Sequence, residues 1–243
     1  MHVTLFAQSK TILADALSFF IQNFSQIVAI CMPFLLATSA ANFMSDADEL
    51  SPMALLAPMV VNILVYPIYT AALIHLMALR ARQKEPRSID LIMAAIQQWA
   101  PLLILKIIMV FLIGLGMSLL FLSDVWIGLR LVLALPGIWI AVRLVFAEFY
   151  LVLFGMNPMD AILRSFKSTQ KQFTLLLILL MVTYVPILVL GLTTDHLVQV
   201  LTSNDLFRAL INSAWSLIGL IVHVVLFRAF MQVISEQRAG VLQ

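Results

Sequence analysis

QFTLLLILLMVTYVPILVLGLTT, residues 172–194, carries no Asp, Glu, Lys or Arg over twenty-three positions. At 1.5 Å per residue, a helix of that length spans about 35 Å, more than the roughly 30 Å hydrocarbon core of a bilayer. Working outward, residues 16–45, 50–79, 107–123 and 209–227 are also free of charge. The 243-residue chain is 63% hydrophobic and 11% charged, with a mean hydropathy of +1.07. Soluble domains hold about 25% charged residues, and a water-exposed fold of this composition would carry large apolar patches. Spans are expected near 24–43, 54–78, 101–122, 131–152, 173–193 and 209–228. The third contains Lys106, and the fourth contains Arg143 and Glu148. The fold class expected is all-α: a single polytopic membrane domain, 1–243, with about six transmembrane helices and three short amphipathic interfacial helices.

Basic residues orient the spans. With the N-terminus inside, the inner segments hold Lys10, Arg80, Arg82, Lys84, Arg87, Arg164, Lys167, Lys171, Arg228 and Arg238, and the outer loops hold only Arg130 and Arg208. Such asymmetry over short loops places both termini in the cytoplasm. The acidic stretch 45–49 then falls outside. Small residues at 37–41 resemble a signal-peptide cleavage site, but Lys10 is the only basic side chain upstream and the uncharged run is about twice a typical h-region. The expectation is an uncleaved first span. Cys31, the only cysteine, lies in an apolar run and reads as a packing residue.

Segments 13–23, 88–98 and 158–172 precede alternate spans and end alike: Asn23-Phe24, Gln98-Trp99 and Gln172-Phe173. The chain therefore reads as three copies of a surface helix followed by two spans, with units 1–79, 80–153 and 154–233; hydropathy alone can also produce this match. In the third copy Asn157 is a good N-cap, Pro158 suits the first helical position, and Asp160 complements the positive helix end. Ile162, Leu163, Phe166 and Phe173 are expected to face lipid while Arg164, Lys167 and Lys171 meet lipid head groups. Ser88 is expected to cap the second copy, with Asp90 in its first turn. Phe24, Trp99 and Phe173 fit the water–lipid boundary. Ordinary helical linkers would explain the same pattern.

Depth arithmetic puts Arg143 about 13 Å from the inner end of span four, Glu148 about 6 Å, and Lys106 and His223 about 8 Å inside spans three and six. Arg228 and His75 sit at the inner boundary. Every ionisable group in a span is thus expected in the inner half. Arg143, Glu148, Lys106, His223 and Arg228 form a candidate polar cluster. Arg143 and Glu148 lie about 140° apart around one helix, so their partners are expected on other spans. Two readings stand: each group snorkels or pairs locally, or they converge on a basic inward-facing pocket. Pro136-Gly137 either breaks a span or marks the point where the helix restarts after an outer turn. Gly114 and Gly116 offer a close-packing surface for a neighbouring helix.

The segment 135–144, Leu-Pro-Gly-Ile-Trp-Ile-Ala-Val-Arg-Leu, with Phe146-Ala147 and then Asn157-Pro158-Met159-Asp160-Ala161-Ile162-Leu163-Arg164-Ser165-Phe166-Lys167, resembles the YciC-type family of bacterial inner-membrane proteins. It is also similar to the membrane domain beside the catalytic domain of some glycerophosphodiester phosphodiesterases. The specific part covers about 40 residues of the chain. The resemblance implies a multi-pass inner-membrane protein without an established activity. The sequence departs from it at Leu153-Phe154-Gly155, where an acidic residue is common, and at Glu148, where a neutral one is usual.

No phosphate-binding glycine loop, His-Glu-x-x-His pair or nucleophile triad is present. His2, His75, His196 and His223 are scattered without metal-ligand spacing, and no basic aromatic surface for nucleic acid is seen. The expectation is no enzyme, cofactor, metal or nucleic-acid partner. What remains is a component of envelope or lipid homeostasis acting through anionic lipids or a membrane protein partner, or alternatively a small transporter or channel lined by Arg143, Glu148 and His223.

Overall fold

The computed structural model describes residues 2–46, 52–118, 129, 132, 134–201 and 204–241. Ala47, Asp48 and Glu49 of the acidic loop, and Arg130, lie outside the described residues. Helices follow one another as α1 His2–Gln22, α2 Phe24–Asp46, α3 Pro52–Ala81, α4 Ser88–Gln97, α5 Trp99–Met117, α6 Leu135–Leu144, α7 Ala147–Phe154, α8 Pro158–Thr169, α9 Phe173–Leu201, α10 Asp205–Gly219 and α11 Ile221–Val241. No strand occurs among the described residues. Six stretches are long and apolar enough to cross a membrane: Phe24–Ala41, Met59–Ala81, Trp99–Met117, Leu135–Phe154, Phe173–Val198 and Leu206–Gln237.

Exposure follows the solvent the sequence predicts. On α5, Ile104, Ile107, Val110, Phe111 and Leu115 are exposed, and so are Val182, Val185, Leu188, Val189 and Leu192 on α9. Stripes of this size are stable only against lipid or a partner. The interior is packed around α3, α7 and α11. Phe230 is its hub, with ring centroids 5.3 Å from Phe146, 5.3 Å from Phe149 and 5.0 Å from Tyr150. These tilted and edge-on pairs are the preferred aromatic geometries.

Polar side chains tie span ends together. Gln26 donates to the Pro86 carbonyl at 2.7 Å and accepts from Arg80 at 3.0 Å, which joins the start of α2 to the end of α3. Gln98 donates to the Val152 carbonyl, joining α5 to α7. Gln172 donates to Glu236 at 2.8 Å, joining the start of α9 to α11. Gln98 and Gln172 stand at two of the helix junctions where the sequence repeats its amide–aromatic pair.

Several expected boundaries move. α1 begins at His2 rather than near residue 13 and packs its Ile12, Ala16, Phe19 and Phe20 face inward, chiefly on α11. Ser88 is the first helical residue and Arg87 occupies the cap position, so Ser88 does not cap α4. Span five runs on to Leu201 because no glycine or proline stops it after Gly191. Asp195 and His196 therefore belong to its candidate span, and ionisable groups are not confined to one half. The last span is two helices meeting at Leu220.

Pro136 is not a kink. It occupies the first turn of α6, whose helix starts at Leu135. The break in span four comes later, at Val145-Phe146, with no proline or glycine to announce it. Gly155 ends α7 with φ +62°, the left-handed cap that favours glycine, and its N–H returns to the Leu151 carbonyl at 2.9 Å.

Candidate functional site

The break in span four frees backbone groups that hydrocarbon cannot solvate, and α8 supplies their partners. Ser165 Oγ donates to the Arg143 carbonyl at 2.6 Å and accepts from the Phe146 N–H at 3.2 Å. Thr169 lies beside the same carbonyl at 3.5 Å. Ala161, Ile162, Ser165, Ser168 and Thr169 make the buried face of α8. Ile162 thus packs into the protein, correcting the expectation that it faces lipid, because the serines sharing its face are drawn to the break. Leu163 and Met159 stay exposed. Replacing Ser165 with alanine is expected to cost about 1–3 kcal/mol, since two buried backbone groups lose a partner. A thermal melt in detergent checks this against Ser235→Ala, where only an exposed within-helix bond is lost.

Arg143 follows α8. Its Nη1 donates to the Phe166 carbonyl at 3.1 Å, and its guanidinium lies 5.2 Å from the Trp139 ring centroid and 5.9 Å from that of Phe166. Arg228 lies over the Phe19 ring at 5.3 Å, against α1. Neither joins the other three members of the expected five-residue cluster. Arg143 ends α6 and Glu148 begins α7, so the break between them lets the first turn to α8 while the second meets α5.

Lys106, Glu148 and His223 do come together. Lys106 Nζ is 3.5 Å from Glu148 Oε1, with 24% and 11% of their side chains accessible. The same ammonium stands 3.6 Å above the centroid of the Tyr66 ring, a close cation–π contact. The Tyr66 hydroxyl is 2.9 Å from His223 Nε2, and Glu148 faces that hydroxyl too. Tyr69 meets the Tyr66 ring edge-on at 5.4 Å. Four helices, α3, α5, α7 and α11, each contribute one residue. Tyr66 is the member that sequence reasoning missed. Its hydroxyl sits inside an otherwise apolar span, and a buried tyrosine O–H seeks a partner; that signal was present.

The third feature is the outer side of α8. Arg164 and Lys167 are exposed there, and Lys171 is exposed in the turn just beyond its end. They line a shallow groove of about 520 Å³ between α8 and α11, where Glu236 is the carboxylate on the opposite wall. Among the described residues, no group of three or more His, Cys, Asp or Glu side chains is placed to hold a metal ion.

Fold and site together define a multi-pass, all-helical membrane protein. No family model, curated protein or solved structure matches the chain.

Proposed function

We propose that this protein is a non-enzymatic component of the bacterial inner membrane, related to the YciC-type proteins, that acts in envelope or lipid homeostasis by holding anionic lipid head groups on α8. One observation carries the reading, the division of labour across that helix. Its hydroxyl face is consumed by the break in span four, while Arg164, Lys167 and Lys171 stay exposed on the other side. Cytoplasmic placement of both termini, supported by the distribution of lysine and arginine, sets α8 against the anionic inner leaflet. The rival reading, an inward-facing basic pocket for a transported solute, has less support: Arg143 is committed to Phe166, Arg228 to α1, and Lys106 is matched by Glu148.

The test is lipid retention. Each basic side chain near an anionic surface contributes about 1 kcal/mol. Arg164→Gln, Lys167→Gln and Lys171→Gln together are expected to weaken anionic-lipid binding by on the order of 100-fold. Binding of fluorescent phosphatidylglycerol to the protein in zwitterionic nanodiscs reads it. Equal binding by wild type and triple variant would reject the proposal.

A further inference from the structure

The Lys106–Glu148–Tyr66–His223 cluster is not used by the lipid-binding reading, and its connectivity exceeds what a structural staple needs. A carboxylate, a phenol and an imidazole come together from three helices: the Tyr66 hydroxyl is 2.9 Å from His223 Nε2, and Glu148 is brought to the Tyr66 ring by the Lys106 ammonium that both contact. A tyrosine hydroxyl donates one hydrogen bond and accepts others, so it can pass a proton in either direction without moving. His223 Nδ1 is buried and has no hydrogen-bond partner among the described residues. A histidine held for structure alone usually has its second nitrogen fixed by a carbonyl or carboxylate, which locks the tautomer. Ionisable groups inside a membrane bundle commonly mark proton relays.

We propose that Glu148, Tyr66 and His223 form a proton-exchange site within the helix bundle, with Lys106 as its countercharge. The transfer needs no other reactant. When Glu148 is a carboxylic acid, its O–H breaks as a new Tyr66 O–H forms. The original Tyr66 O–H breaks as His223 Nε2–H forms. Carboxylic acid plus imidazole becomes carboxylate plus imidazolium, and the reverse path restores both. Lys106 stabilises the carboxylate end of the exchange, because its ammonium is 3.5 Å from Glu148. The other titratable groups around the site are Tyr69 on α3 and Cys31 on α2, both buried. Arg143 and Arg228 face away from it.

A consequence follows for packing. Protonated Glu148 no longer neutralises Lys106, so the contact between α5 and α7 weakens; with Glu148 ionised and His223 an imidazolium, the Tyr66–His223 contact between α3 and α11 becomes charge-assisted and strengthens. Proton occupancy is thereby coupled to the arrangement of four helices.

The test uses the full chain in nanodiscs. Infrared difference spectra follow the carboxylic acid of Glu148, identified by its loss in Glu148→Gln. Nitrogen-15 NMR follows the His223 ring, identified by its loss in His223→Gln. In the wild type the two signals are expected to change together as pH is varied, with shared inflections. In Tyr66→Phe, which removes only the bridging oxygen, the two curves are expected to separate by about one pH unit or more. Tyr69→Phe, the matched removal of a neighbouring hydroxyl, is expected to leave them coupled. Unchanged curves in Tyr66→Phe would overturn the proposal, as would a carboxyl and an imidazole that never change protonation across the range. If Tyr66→Phe does not fold, the Glu148 band in His223→Gln decides: a shift of about one pH unit supports the exchange and an unmoved band rejects it.

Discussion

Glu148→Leu is expected to lower the thermal unfolding midpoint in detergent sharply, at a cost of about 3–5 kcal/mol for stranding a buried partner charge. About a quarter of the Lys106 side chain is accessible, which places the loss toward the lower end of that range. The double variant Lys106→Met/Glu148→Leu is expected to recover most of it, because removing both charges leaves no unpaired ion and replaces them with side chains of similar bulk. The sign of the recovery is the informative result. A pair that held nothing would give two small, additive losses. A pair that merely filled space would give a double variant worse than either single one. Lys106→Met alone should also be destabilising, through loss of both the Glu148 contact and the ammonium above Tyr66.

The second large effect is steric. A Cβ built on Gly116 would lie 2.5 Å from Gly137 Cα and 2.7 Å from its nitrogen. A Cβ on Gly137 would meet Gly116 C at 2.8 Å as well as the Met117 side chain. These neighbours are backbone, so no rotamer change relieves the clash and α5 must move off α6. Gly116→Ala is therefore expected to cost about 1–3 kcal/mol, with larger side chains costing more. Gly114 provides the control within the same helix. Nothing lies within 4 Å of its built Cβ, and it faces outward. Gly114→Ala should be neutral or stabilising by up to about 1 kcal/mol, because alanine favours helix over glycine. Equal melting temperatures for Gly114→Ala and Gly116→Ala would mean that α5 and α6 do not cross this closely.

Much of the architecture was legible because hydrocarbon is an unforgiving solvent. A lysine or aspartate inside a span is conspicuous, so charge-free runs located six candidate spans, and Asn157-Pro158 marked the start of α8. The close packing expected of the Gly114 and Gly116 pair also materialised, at Gly116. What escaped was whatever depends on phase between helices. Tyr66 counts as neither charged nor strongly polar, and its meeting with Lys106, Glu148 and His223 needs four helix rotations that one-dimensional reading does not supply. The direction of Arg143 was half visible: its separation from Glu148 followed from 140° of helix, but its attachment to Phe166 did not. The break at Val145-Phe146 had no local signature, since its cause is a serine nineteen residues away from Phe146. Asp195 was counted outside its span because turns were assumed where charge returned, and α9 continues through it.

That distant serine gives α8 a mechanical character. A helix lying on a membrane by amphipathicity alone slides and rolls freely, since lipid makes no directional bonds. Here any displacement of α8 must first pull one hydroxyl out of a fork between a carbonyl and an amide inside span four, leaving both unpaired at a cost of about 1–3 kcal/mol. Movement of α8 is therefore transmitted directly to α6 and α7. The lever arm is stiff, and Glu148 stands two positions along the chain from its fulcrum at Phe146.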